Sequence, residues 1–445
     1  MELRDLVVTP LWFIVLVIAG YVLRPRLTSA DTRKYFMPAL ILRLTSAVAV
    51  GFLYQYYYAG GDTFMYHTQG SRLIWEAMVQ SPSMGLKLFF DPRHSLTGET
   101  YEFASKIYFL NDPQSYAVIR AATLFDLLTF STYSATALLF GVISFAGAWF
   151  LFLGFLELYP EARARLAIAC LFIPSVIFWG SGILKDTLTF ACLGLATFHA
   201  IRLFLKLEFR ISSLLWLAVS MWIIYAIKVY ILLAYLPAVV LWVFFYHFSS
   251  IRSVAVRIVS FPVVVVIALT VAYYAMTSAG EDNPKYSLAN VGTTARVTAY
   301  DIRYWSGRAA GSGYSLGELD GSIGSMLRLA PAAVNVALFR PYPWEVRNPL
   351  MAISMVESMA ILGLCLYVLV RTNFRMARAL TDPTSFFCLF FALTFAFAVG
   401  VSTYNFGTLV RYKIPMMPFL VMALLLVVDY PKRSRKLPVL DLTEK

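Results

Sequence analysis

The chain has 445 residues, of which 60% are hydrophobic and only 14% charged. Soluble domains carry about 25% charged residues, and a mean hydropathy of +0.70 excludes an ordinary soluble protein. The net charge of +12 would suit a nucleic-acid binder, but the basic residues cluster in short segments between apolar runs, which is how membrane orientation is encoded; no nucleic-acid partner is expected.

About 20 apolar residues cross a bilayer. Eleven candidate spans follow in chain order: 8–23, 37–57, 133–156, 166–182, 187–205, 212–227, 229–247, 258–277, 350–370, 384–402 and 412–429. The first has no small-residue cleavage site behind it and reads as a retained helix, not a signal peptide. The stretch 212–247 reads either as one long helix or as two divided near Lys228. Segments after odd-numbered spans are basic: Arg24, Arg26, Arg33 and Lys34; Arg163 and Arg165; Arg202, Lys206 and Arg210; Arg252 and Arg257; Arg371, Arg375 and Arg378; then the tail from Lys432. This alternation predicts an N-terminus outside and a C-terminus in the cytoplasm. The expected fold is a single all-α, polytopic transmembrane helical bundle. Its four cysteines, Cys170, Cys192, Cys365 and Cys388, lack metal or disulfide spacing and read as small core residues.

Two long loops, 58–132 and 278–349, then lie on the outer face. Loops of that size are usually functional. In the first, 66–80 and 101–130 carry apolar residues at helical spacing and predict amphipathic interfacial helices.

Four groups of residues carry the candidate chemistry. Asp62 follows Gly60-Gly61 at the end of the second span, with Tyr66 and His67 after it. It reads as a helix cap or as a general base acting on an acceptor hydroxyl. Lys185 and Asp186 stand at the start of the fifth span, and Lys228 lies on the same face; they read as phosphate-holding cations with an acid, or as structural ion pairs. Arg340-Pro341-Tyr342-Pro343-Trp344-Glu345 re-enters the membrane at the end of the second loop, with Arg303 earlier and Arg347 just behind. Trp344 suits either sugar stacking or the interfacial aromatic belt. Glu357, inside the ninth run, is a candidate by depth alone. Arg411 and Lys413 precede Pro415 and Pro418 on the outer face, against the positive-inside tendency. No metal is indicated: His67 and His94 lack an i+4 partner, His199 and His247 lie near the inner face, and a divalent ion on Asp62, Glu99 and Glu102 has only weak spacing in its favour.

The layout resembles the GT-C class of membrane glycosyltransferases, with many spans and a large first outer loop that opens on an acid. Arg411-Tyr412-Lys413-Ile414-Pro415 with Pro418 is similar to the Arg-Tyr-x-x-Pro-x-x-Pro stretch before a late span in such proteins. Asp62 with Tyr66 is similar to the Asp-x-x-x-Tyr of bacterial surface-polysaccharide polymerases. The chain departs in placing the acidic loop after its second span, and in having Thr63 where those enzymes pair a second acid. The resemblance implies a polyprenyl-phosphate- or pyrophosphate-linked sugar donor, a glycan or lipid acceptor, membrane lipids as surroundings, and residence in the bacterial inner membrane. The competing expectations are a transporter or flippase of lipid-linked sugars, which usually shows an internal repeat, and a non-catalytic assembly subunit.

Overall fold

A computed structural model describes residues 2–92, 96, 98–248, 260, 262–271, 273–274, 277, 290–305, 311–317, 320–372 and 381–434. Among them the chain is helical throughout, and its only sheet-like pairing is an isolated bridge between Gly313 and Asn405. Seven helices are long and apolar enough to cross a membrane, with an eighth if one bent pair counts as a span. The chain is therefore a polytopic membrane protein. It divides into two compact units, Met1–Leu232 and Leu233–Lys445.

The first unit begins with α1 (Asp5–Leu27) and α2 (Arg33–Phe52), which continues through a wider turn, Leu53–Tyr57. The first loop folds into short helices: α3 (Asp62–Tyr66), a π turn at His67–Ser71, α4 (Arg72–Gln80), α5 (Pro82–Phe90), α6 (Tyr101–Ala104) and α7 (Pro113–Thr129). α7 buries Tyr116, Ile119 and Asp126 while Leu124, Leu127 and Leu128 are exposed, so it has both a packed face and an outward apolar ridge.

α8 (Tyr133–Leu158) is the central helix of this unit, packed against α2 and against α11 (Lys185–Ala200). Two glycines bring α8 and α11 into backbone contact. A Cβ on Gly147 would stand 2.3 Å from Ala191 Cα, and one on Gly194 would stand 2.1 Å from the Gly147 carbonyl oxygen. Small residues are the usual means of close helix packing in lipid.

The expected span 166–182 is not one helix. α9 (Arg163–Leu171) stops short of α10 (Pro174–Trp179). Pro174 lacks an amide donor and biases the residue before it away from helix, and Ile173 is accordingly extended. The 212–247 stretch forms α12 (Ile211–Phe248), a helix broken at Lys228, where φ is −146° and ψ is 73°. Both sequence alternatives thus hold in part: the helix is continuous in sequence but divided at Lys228.

The second unit contains the last part of α12 and α13 (Pro262–Val271), the continuous helical stretch described within the expected span 258–277. There follow α14 (Val291–Trp305), α15 (Ile323–Arg328), α16 (Ala330–Phe339), α17 (Pro349–Arg371), α18 (Pro383–Thr403), α19 (Phe406–Tyr412) and α20 (Met417–Ser434). The expected span 412–429 is bent: α19 and α20 meet at 69°, with Pro415 in the break between them. α18 is the core helix here. A Cβ on its Gly400 would lie 2.2 Å from the Ala333 carbonyl oxygen of α16. At the other end, Trp242 stacks on Phe387 at 4.1 Å and donates its indole N–H to Thr384 Oγ1 at 3.1 Å, which satisfies a polar atom that burial would otherwise penalise.

Candidate functional site

Asp62 opens α3, and the turn before it accounts for its position. Ala59, Gly60 and Gly61 all have positive φ, at 55°, 135° and 121°. Glycine tolerates such angles far better than other residues. Gly61 is also the cap position of α3, so the helix has no side-chain cap. Asp62 is the first helical residue, not the cap considered from sequence. A Cβ on Gly61 would come within 2.9 Å of the Tyr54 ring, so backbone angle and ring both select glycine there.

Beside Asp62 the first unit gathers two lysines and two further acids. Lys185 at the start of α11 lies within electrostatic range of Asp62, Asp112 and Lys228, and its Nζ is 3.4 Å from Asp112 Oδ2. Lys228, at the break in α12, donates to Asp186 in a pair that is almost wholly buried. The adjacent Lys185 and Asp186 thus do not pair with each other; each is matched by a residue distant in sequence.

Asp112 was missed in the sequence, although Asp112-Pro113 carries a helix-start signal. It caps α7, accepting from the Gln114 amide at 3.2 Å and from the Ser115 hydroxyl. Burial acts to raise its pKa, but Lys185 and the Ser115 and Gln114 donors outweigh this and hold the carboxyl below its ordinary value.

Tyr66 and His67 face inward. Tyr66 stacks on Phe109 at 5.2 Å. His67 Nε2 is 3.2 Å from Asp126 Oδ1, with both side chains fully buried. Thr136 Oγ1 donates to the same carboxylate at 2.6 Å and lies 2.7 Å from Thr129 Oγ1. Burial would raise the Asp126 carboxyl, but His67 first, then the Thr136 and Ser71 hydroxyls, hold it below its usual value. Thr63 Oγ1 shares a 2.7 Å hydrogen bond with Tyr133 OH. Thus α3 is fixed to α8, and the π turn after it to α7, by two buried polar links just beyond Asp62.

Residues of the 59–61 turn also line a cleft of about 280 Å³. Gly60, Phe64, Thr68, Arg72 and Tyr133 contribute to its wall.

One further charge was missed. Arg43, eleven residues into α2, is fully buried. It donates to Ser144 Oγ and lies over the Phe190 ring at 5.3 Å. Its Nε and Nη2 have no hydrogen-bond partner among the described residues. It was overlooked because a lone arginine barely lowers the hydropathy of a long apolar run.

In the second unit, the second loop docks on the turn between α18 and α19. The Tyr314 amide donates to the Tyr404 carbonyl at 3.1 Å, and Tyr314 OH meets Thr403 Oγ1 at 2.7 Å. Arg340 lies 5.6 Å from the Tyr314 ring centroid and 5.4 Å from that of Phe406. Its guanidinium is forked onto Glu345, with Nε 3.1 and 3.0 Å from the two oxygens. Glu345 also accepts the Tyr342 amide at 2.8 Å. Trp344 is 79% exposed and stacks on Tyr342 at 4.9 Å, a free aromatic face. Arg347 packs its aliphatic stem on Gly311. Arg411 is half-buried, whereas Lys413 is buried and within electrostatic range of Glu357. Arg303 belongs to α14, and its side chain is not among those described; His94 likewise lies outside the described residues. Asp62, Glu99 and Glu102 do not converge, and among the described residues no three His, Cys, Asp or Glu side chains are grouped to hold a metal.

Compared with known protein families, curated proteins and solved structures, the chain matches none.

Proposed function

We propose that this protein is a membrane glycosyltransferase or polysaccharide polymerase that uses a polyprenyl-phosphate- or pyrophosphate-linked sugar at the outer face of the bacterial inner membrane. The observation that carries the reading is Asp62 at a rigid turn where a membrane helix ends, with Lys185 within electrostatic range. In this reading Asp62 takes the proton of an acceptor hydroxyl as that oxygen attacks the anomeric carbon, and the bond to phosphate breaks with its electrons leaving on the phosphate oxygen. Lys185 and Lys228 are already matched by Asp112 and Asp186. Lys185, within electrostatic range of Asp62, is the cation that this reading assigns to the departing phosphate. The test is transfer of labelled sugar from a polyprenyl-linked donor by the purified full-length protein. Donor left unconsumed across a panel of common sugars counts against the reading.

A second reading, a transporter or flippase of lipid-linked sugars, draws support from Arg43 within α2 and from Lys413 near Glu357, since ionisable residues inside membrane helices often mark transport paths. It predicts translocation of the lipid-linked sugar in liposomes without any new glycosidic bond.

A further inference from the structure

We propose that the cleft between the N-terminal end of α1 and the 59–61 turn binds a neutral, hydroxyl-rich ligand: the sugar unit of a glycan acceptor. That assignment of the occupant rests on the transferase reading, whereas the binding chemistry is read from the cleft itself.

The wall is built for a sugar ring rather than for an anion. Phe64 is half-buried and lies parallel to Tyr133, with centroids 4.5 Å apart and planes 23° from each other. Tyr133 is buried and backs Phe64, so the Phe64 ring is the flat apolar surface on which the C–H side of a pyranose can lie. Around it are the Gln55 amide, the Thr68 hydroxyl and the Asp5 and Glu2 carboxylates, all lining the same cleft. These groups match hydroxyls, which donate and accept together.

The charge balance argues against phosphate. Glu2 is shared by Arg72, which meets one oxygen, and by Arg4, whose Nε is 2.7 Å from the other, so with Asp5 the local charge is close to balanced and no cation is left over for an anion. The Arg72 Nη2 donates to the Ser131 carbonyl and its Nε is buried away from the cleft, so this guanidinium offers no fork to an anion. The volume of about 280 Å³ is on the order of nine waters at about 30 Å³ each, at the small end for a ligand site.

The position suits an acceptor. Gly60 and Phe64 line the cleft, and each is two residues from Asp62. With about 3.8 Å between successive Cα atoms, Asp62 is no more than about 7.6 Å from either, Cα to Cα. Asp62 does not itself line the cleft, but two residues of its own turn and helix do, so a ring held there abuts the backbone that carries the base.

The cleft is also preformed. Asp5 accepts the Ser134 amide at 3.0 Å and the Glu2 amide at 2.7 Å. Arg72 Nη2 donates to the Ser131 carbonyl at 3.3 Å. These bonds fix the start of α1 against the α7–α8 junction, so binding need not order that wall.

The experiment uses the full-length protein in nanodiscs, free of sugar detergents. Binding of methyl glycosides of glucose, galactose and N-acetylglucosamine is measured by saturation-transfer difference NMR, with inorganic phosphate as competitor. The proposal expects at least one glycoside to bind, with Phe64→Ala and Thr68→Val each weakening it about tenfold or more and phosphate failing to displace it. Thr68 is exposed, so Thr68→Val serves if Phe64→Ala does not fold. No glycoside binding to the wild type, unchanged binding to Thr68→Val and a folded Phe64→Ala, or displacement by phosphate would each overturn it. Donor turnover is scored separately. Glycoside binding without donor turnover removes the transferase reading and sustains the sugar cleft; turnover without glycoside binding removes the cleft alone.

Discussion

His67 Nε2 and Asp126 Oδ1 are 3.2 Å apart with neither side chain open to solvent. The pair ties the π turn after α3 to α7, and Thr136 of α8 donates to the same carboxylate. It therefore holds the stretch that begins with Asp62 against two helices at once. The network is only partly satisfied, since His67 Nδ1 and Asp126 Oδ2 have no hydrogen-bond partner among the described residues, which raises the cost of disturbing it; the ion pair and the Thr136 hydroxyl give the dyad a positioning role for the turn that follows α3.

This pair predicts a pH dependence. The Asp126 carboxyl is lowered relative to its unfolded value of about 3.9, with burial opposed and outweighed by His67. A depressed acid contributes stability that is fully present above its unfolded pKa and is lost as pH falls through its folded pKa. The melting temperature of the solubilised protein should thus hold from neutrality to about pH 4 with respect to this group and fall below it. Asp126→Ala should lower stability at pH 7 by about 3 kcal/mol, the cost of stranding a buried partner, and flatten the acid limb. An unchanged acid limb in the variant would remove Asp126 from the account.

The Lys228–Asp186 pair allows a similar test. Removing one member of a buried pair strands the other and costs about 3–5 kcal/mol, whereas replacing both with apolar residues is often neutral. Asp186→Leu should therefore be strongly destabilised, and the double variant Asp186→Leu with Lys228→Met should recover most of the loss. The readout is thermal melting in a fixed detergent. A double variant no better than the single would show that the two residues do not act as a pair.

Much of the architecture was legible in the sequence because long apolar runs leave few choices. The spans at 8–23, 37–57, 133–156, 187–205, 350–370 and 384–402 correspond to α1, α2, α8, α11, α17 and α18 with only their ends adjusted. Hydropathy failed where it averages over a break. At 166–182 and 412–429 the runs are apolar throughout, yet Pro174 and the Pro415 region interrupt them. Within the candidate site, the sequence singled out residues one at a time but not their pairings. Nothing local links Lys185 to Asp112, 73 positions away, or Lys228 to Asp186, 42 positions away. Tyr66 and His67 stood out as polar aromatics beside Asp62, but at the end of a five-residue helix and the start of the π turn after it, both packed on α7, they turn to the interior.

Gly61 tests the turn that positions the acid. With φ at 121° and the Tyr54 ring 2.9 Å from any added Cβ, Gly61→Ala must strain the backbone or move the ring. Strain of that kind costs about 1–3 kcal/mol. The variant should insert but melt lower and lose product, whereas Gly60→Ala, where no atom lies within 4 Å of the added Cβ, carries the angular strain alone and should lose less. Equal losses would show that the Tyr54 contact is unimportant.

The final prediction concerns Asp62 itself. Because Gly61 holds the cap position and α3 has no side-chain cap, Asp62 is not required to satisfy the helix end. Asp62→Asn keeps the shape but removes the charge and nearly all basicity. It should therefore melt close to the wild type and yet form product about 10²–10⁴-fold more slowly, the usual contribution of a positioned base. Asp112→Asn is the control. It keeps an acceptor for the α7 cap, since Asn caps about as well as Asp, but weakens the hold on Lys185. It should lose some stability, with a smaller loss of rate than Asp62→Asn. Product yield from labelled lipid-linked donor and melting temperature, measured side by side, separate the two roles. Wild-type turnover by Asp62→Asn would exclude Asp62 as the base and move the search to Asp186, Glu345 or Glu357.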